Sequence, residues 1–297
     1  MAKLRSVILS NYRRFSGEIE FPLGPGVNLV VIPPGKGKST LLEAIAWCLL
    51  GNELVSDPGE VPNVEALDTG TAEVRVALTF INGERLERFA QYSRTEGRVE
   101  RGAWGWRLLG EGGGILDQGE DAVGFAEQAE RLFPEECVHA NLISGPSLAR
   151  VAEGDRSGPE RAVQCSDNWC TSDLSLRCSM EATGLFLGMC PETPVRALGY
   201  DPEGRLEVSV EGHPSVDVVR TAVLCHALAF ARENYGVCPI LMEDPLRCVE
   251  AEDRQGMFSE IIRSMGSRQV VFLLSDQADI EAVRATGRVD RELEIWG

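Results

Sequence analysis

The chain has 297 residues, 43% hydrophobic and 25% charged, with a formal net charge of −17. That length supports one large α/β domain or two lobes with a sizeable core. The acidic balance argues against a protein that coats nucleic acid by itself, while leaving room for a local basic patch. No apolar run reaches the roughly 18 residues of a membrane span. The opening, MAKLRSVILSNYRRF, is charged too soon for a secretory signal, so a cytoplasmic location is expected. Nine cysteines without an export signal fit reduced thiols better than a disulfide framework.

In chain order, residues 4–9 and 17–21 predict two short strands. Between them lies Asn11-Tyr12-Arg13-Arg14-Phe15. Arg13 and Arg14 are candidates to contact adenine or phosphate; a solvated hairpin tip is the other reading.

The central stretch follows. Val27-Asn28-Leu29-Val30-Val31-Ile32 is an apolar strand, Pro33-Pro34-Gly35-Lys36-Gly37 a tight turn, and Lys38-Ser39-Thr40 opens an amphipathic helix through Trp47. Strand, glycine turn, Lys-Ser and helix in that order are the layout of a phosphate-binding loop. Unpaired N–H groups and the positive dipole end of a helix start stabilise an anion. Gly35, Lys36, Gly37, Lys38, Ser39 and Thr40 are the candidate cofactor-binding residues. Lys38 supplies a point charge for the outer phosphates, and the Ser39 hydroxyl suits Mg²⁺. The pattern G-x-x-x-x-G-K-[ST] is incomplete, because Ile32 stands at its first glycine. Ile is stiff and avoids positive φ, and Pro34 removes an N–H. The alternative is a plain strand–turn–helix whose glycines only permit the turn.

Residues 51–70, rich in Gly, Pro and acids, predict a loop. Strands at 72–80 and 85–90, joined by Asn82-Gly83, predict a hairpin, and a third strand at 104–109 makes an antiparallel meander. Residues 121–152 read as helical. Residues 154–195 are polar and cysteine-rich and read as a link. The expected division is an N-terminal lobe 1–154, a linker 155–195 and a C-terminal lobe 196–297. The second lobe alternates: strand 205–210, helix 218–234, buried strand 237–242, helix 252–265, buried strand 269–274, then a short helix and an edge strand. The strand ending in Glu243-Asp244 suits a metal site with water activation, one carboxylate holding Mg²⁺ and the next acting on water. Solvated acids at a strand end are the competing reading. Cys165, Cys170, Cys178 and Cys190 have spacings at or beyond the edge of those of structural zinc sites, so free thiols are the main expectation. His139, His213 and His226 are isolated and read as packing or surface residues.

With these residues in view, the chain resembles the ATPase heads of the SMC and RecF type within the ABC ATPases, among AAA-family ATP-binding proteins. The carriers are LRSVILSNYRRFSGEIEF, PPGKGKSTLLEAIAWCLLG, SLARVAEGD, and CPILMEDPLRCVEAEDR with RQVVFLLSD. The resemblance implies an α/β, two-lobed P-loop NTPase with a mixed central sheet and an antiparallel β meander. It implies ATP and Mg²⁺ as cofactors, with Ser39 and Glu243 toward the metal and Glu243 and Asp244 as catalytic carboxylates. It implies a homodimer, or a head-to-tail dimer with a related head, and work on DNA, alone or with a nuclease partner.

The departures share a direction. The family's long coiled coil is replaced by the short cysteine-rich link. Its glutamine position falls near Gly145. Its Leu-Ser-Gly-Gly signature is replaced by Ser215-Val216-Asp217-Val218-Val219, where Asp217 would repel a γ-phosphate. Its Asp-Glu order is reversed at Glu243-Asp244, and its switch histidine is Ser275. A displaced general base loses roughly 10²–10⁴ in rate. The expectation is therefore an ATP-binding head with slow hydrolysis; the alternative is a non-catalytic structural or nucleotide-gated dimerisation module. A P-loop kinase is disfavoured for want of an arginine-rich lid.

Overall fold

The computed structural model describes residues 3–51, 58–95, 97–144, 172–200, 206–210, 215–234, 238–247 and 254–295. These fall into two compact units: residues 1–25, 32–138 and 293–297, and residues 26–31 and 139–292. Among the described residues, no helix is long and apolar enough to cross a membrane.

The first unit is built on a six-stranded sheet, ordered β2-β1-β4-β5-β6-β7. Its strands are β1 (Leu4–Ser10), β2 (Glu18–Pro22), β4 (Thr71–Phe80), β5 (Arg85–Thr95), β6 (Arg98–Leu109) and β7 (Ile115–Gly119). All its neighbours are antiparallel. The meander read from the sequence is present, and longer: β6 begins at Arg98, and β7 adds an edge strand that had no alternation to reveal it. The Asn82-Gly83 hairpin forms as expected, with Gly83 at φ 84° and its N–H donating to Phe80 O at 3.0 Å. Helix α1 (Lys38–Leu50) belongs to this unit. The sequence predicts an amphipathic helix, but ten of its thirteen residues are buried, so it is apolar nearly all round. Helix α2 (Ala122–Leu132) is capped by Asp121, whose carboxylate accepts from Gly124 N at 2.7 Å. Helix α3 (Glu135–Asn141) follows.

The second unit holds a five-stranded sheet, ordered β13-β3-β12-β11-β8. Its strands are β3 (Val27–Val31), β8 (Leu142–Ser144), β11 (Ile240–Glu243), β12 (Val270–Leu274) and β13 (Val289–Glu294). Strands β3, β12, β11 and β8 run parallel. Every residue of β3, β11 and β12 is buried, and apart from Asn28 and Glu243 all are apolar, as a parallel sheet covered on both faces favours. Two features correct the sequence reading. Residues 142–144, read as part of a helix, form β8. Residues 172–189, read as irregular linker, form helix α4 (Ser172–Met189).

Helix α4 shares a core with α5 (Val216–Asn234) through Ala182, Leu185, Phe186 and Met189 on one side and Leu224, Cys225 and Leu228 on the other. Arg232 and Glu181 pair across them at 2.8 Å. A separate hairpin of β9 (Val195–Tyr200) and β10 (Leu206–Val210) joins α4 through Thr183, whose hydroxyl accepts from Leu198 N at 2.9 Å. Helices α6 (Arg254–Met265) and α7 (Gln277–Ala285) complete the unit.

His226 lies on the apolar side of α5, as the sequence places it, and is 6% exposed. Burial holds its imidazole neutral and drives its pKa down to about 3. The unfolded chain takes up a proton near pH 6.5, and the folded chain only near 3. Stability is therefore lost as pH falls through that window, at up to about 1.4 kcal/mol per pH unit. Between pH 7.5 and pH 5, urea unfolding is expected to show about 2 kcal/mol more loss in the parent than in His226→Leu. Parallel pH profiles would remove this assignment.

Candidate functional site

The phosphate-loop candidate lies in the first unit. β3 hands the chain to Ile32, which is fully buried and is not among the residues at positive φ. The missing first glycine is thus no obstacle to the turn: the left-handed positions are Gly35 (φ 75°) and Gly37 (φ 106°). Lys36 N donates to Pro33 O at 3.1 Å, closing the turn. Gly37 is the N-cap of α1 and has no side chain to cap it, and no acid lies in the first helical turn. A helix start of this kind presents its first N–H groups and its dipole outward. Lys38 and Thr40 are each 7% exposed, and Ser39 and Lys36 are exposed.

The Tyr12-Arg13-Arg14 turn is no loose hairpin tip. Asn11 and Arg13 both sit at positive φ, at 53° and 47°. The turn is pinned by Arg13 N to Val61 O at 2.8 Å, Asn63 N to Asn11 O at 2.8 Å, and Asn63 Nδ2 to Arg13 O at 2.6 Å. Tyr12 is fully buried beside Trp47. Burial pushes its phenol well above the usual range, against a lowering by Arg13. Arg13 is engaged by Glu43 of α1 at 2.6 Å, whereas Arg14 is exposed. Phe15 turns inward, and its ring occupies the space where a side chain on Gly37 would go, 2.8 Å from a Cβ there.

The acidic candidates lie in the second unit. Glu243 and Asp244 are 4% and 2% exposed, so they are not solvated strand-end acids. Ser144, at the end of β8, donates its hydroxyl to Glu243 Oε2 at 3.2 Å. Asp244 adopts φ 38°, a conformation that costs a non-glycine residue. Its N–H donates to Leu273 O at 3.0 Å, and its Oδ1 accepts from Ser275 N at 3.1 Å. The Ser275 hydroxyl lies 3.3 Å from Oδ2. Asp244 thereby ties the end of β11 to the end of β12. The Ser144 and Ser275 partnerships were not legible from spacing: they follow from β8, β11 and β12 ending at one edge of a parallel sheet.

Ser215 caps α5, accepting from Val218 N at 3.3 Å through its hydroxyl and from Val219 N at 3.1 Å through its carbonyl. Cys178 is buried in α4 and Cys190 is half-buried; Cys165, Cys170, His213 and Gly145 lie outside the described residues. Among the described residues, no three His, Cys, Asp or Glu side chains gather as a metal-binding group.

Parallel strands ordered β3-β12-β11-β8, with a glycine turn and helix after β3, define an α/β fold of the P-loop NTPase class. A family model described as an AAA domain matches residues 6–116. Over 93 residues, 29% of this chain, the sequence is 32% identical to the chromosome partition protein Smc of Synechocystis sp., of which the match spans 8%. An Smc head bound to the C-winged helix domain of ScpA superposes with a TM-score of 0.67 at 14% identity, covering 94% of this chain and 92% of that one. The Pyrococcus furiosus Smc head bound to the C-terminal domain of ScpA gives 0.63 at 12% identity, covering 99% and 93%. The Thermotoga maritima SMC head domain gives 0.56 at 13%, covering 99% and 95%. Within that class, the fold is that of the SMC head domains.

Proposed function

We propose that this chain is an ATP-binding, SMC-like head with slow hydrolysis, acting in chromosome-associated or DNA-repair work. The observation that carries the reading is the start of α1: a left-handed glycine N-cap without a side chain, followed by the buried Lys38. That arrangement fits a polyphosphate, with Gly35, Lys36, Gly37, Lys38, Ser39 and Thr40 around it and Arg14 exposed on the neighbouring turn. Arg13 contributes only by leaving Glu43. Ser39, on the loop, is an oxygen donor of the hard type that Mg²⁺ takes, as Glu243 is in the second unit, and an ion at the loop would neutralise charge on the outer phosphates. Asp244 is the remaining carboxylate for a water.

Slow turnover follows from the same residues. Asp244 is held by Ser275 in a strained backbone, and the Ser215 hydroxyl oxygen is held in place as the cap of its own helix. These observations also favour the second reading, a nucleotide-gated dimerisation module without hydrolysis. In either reading the partner is a second copy or a related head. A ScpA-like winged-helix domain, DNA and a nuclease are further candidates. Lobes 1–154 and 196–297 would form the head, with α4 of the intervening segment 155–195 packed into the core of the second unit.

Calorimetric titration of Mg·ATP into the full chain tests the proposal. Lys38→Ala is expected to weaken binding at least about 30-fold, the cost of removing a desolvated charge from an anion. ATP left unbound at millimolar concentration would reduce the protein to a scaffold. Brisk, Lys38-dependent turnover would overturn slow hydrolysis alone.

A further inference from the structure

Arg88, on β5, is 8% exposed. Its guanidinium carbon lies 4.5 Å from the ring centre of Phe125 on α2, 4.8 Å from Trp104 on β6 and 5.7 Å from Trp47 on α1. Nη1 donates to Trp47 O at 3.4 Å, a carbonyl in the last turn of α1. Gly51 N–H, closing the helix, donates to the same oxygen. A Cβ on Gly51, at φ 78°, would stand 2.5 Å from Nη2, so glycine there leaves room for the guanidinium.

Burying a guanidinium among aromatic rings is costly, and an apolar side chain would fill the space with less desolvation. What the cation adds is direction. It meets the negative end of the α1 dipole and is held by three rings, one on the meander, one on α2 and one on α1 itself. α1 has thirteen residues and is about 20 Å long, effectively a rod, so fixing one end fixes the other. The other end carries Gly37, Lys38 and Ser39.

We infer that Arg88 is a positioning residue for the phosphate loop: it clamps the C-terminal end of α1 to β5, β6 and α2 and so sets where the first-turn N–H groups stand. This rests on the nucleotide-binding reading above. It goes beyond that reading in making the antiparallel meander part of the nucleotide site's support.

The test uses the full chain, with Arg88→Met, Arg88→Lys and Trp104→Leu beside the parent. Mg·ATP affinity is read by calorimetry, and amide exchange of residues 38–51 is measured without nucleotide. Arg88→Met, folded by circular dichroism, is expected to bind about tenfold more weakly and to exchange α1 amides faster, and Arg88→Lys to recover to within about threefold. Parent-like affinity and exchange in Arg88→Met would overturn the inference. So would a Lys variant as impaired as Met, since shape rather than charge would then be responsible. If Arg88→Met does not fold, Trp104→Leu decides, with about threefold weaker binding and faster α1 exchange expected and no change overturning. If the parent shows no Lys38-dependent binding, the nucleotide reading fails, and the exchange data still judge the clamp.

Discussion

Gly37→Val is expected to abolish Mg·ATP binding, by about 100-fold or more, and to lower stability by about 2–4 kcal/mol. Two independent penalties meet at this residue. Its φ of 106° is strained for any side chain and most for a β-branched one. A Cβ there would also stand 2.8 Å from Phe15 Cζ. Phe15 has little room to yield, being 4% exposed and set edge-on against Phe21 at 5.6 Å. The substitution therefore moves the loop, the helix start or the pinned 11–15 turn. Gly35→Ala is the natural comparison: its φ of 75° is strained, but its Cβ would meet nothing within 4 Å. It is expected to cost only about 1 kcal/mol. Calorimetry and urea midpoints separate the two. Parent-like affinity in Gly37→Val would show that loop geometry does not govern the site.

The second large effect is expected at Arg254. Its guanidinium pairs with Asp279, which is fully buried in the first turn of α7. Burial pushes the Asp279 carboxyl above its ordinary value, and Arg254 opposes that shift. Arg254→Met leaves the carboxylate without that cation, at a cost of about 2–4 kcal/mol in urea unfolding at pH 7. Adding Asp279→Leu is expected to recover most of the loss, because the charge leaves with its partner. The pH dependence has a definite sign. An acid whose folded pKa is raised binds more protons folded than unfolded, so its stability contribution is lost as pH rises. The Arg254→Met defect is therefore expected to shrink between pH 7 and pH 5. A defect that grows in acid, or a double variant no better than the single, would remove the buried-charge explanation.

Much of the fold was legible because its signals are local. The largely apolar runs of β3, β11 and β12, the Asn82-Gly83 turn and the glycines before Lys38 each carry their physics within a few residues. The misses have equally physical causes. β8 is three residues long, and its pairing comes from β11 nearly a hundred residues away, so no periodicity announces it. Helix α4 hid in a polar composition because its apolar residues find their partners, α5 among them, only once the second unit is assembled. At the candidate site, the acids were found from a strand ending in carboxylates, but their burial and serine partners depend on the sheet's order. Ile32 looked like a defect in the motif, yet only Gly35 and Gly37 need the left-handed conformation.

One topological fact bears on how such a chain is made. β3 is paired in register with β12, Val27 opposite Val270. On a ribosome adding about 5–20 residues per second, β3 emerges some 12–50 seconds before that partner exists. During that interval the meander of the first unit can close on local contacts, while a strand apolar at all but Asn28 waits for its neighbour. Nascent chains halted before β12 are thus expected to seek chaperones, and any change that slows translation beyond β10 lengthens the exposure.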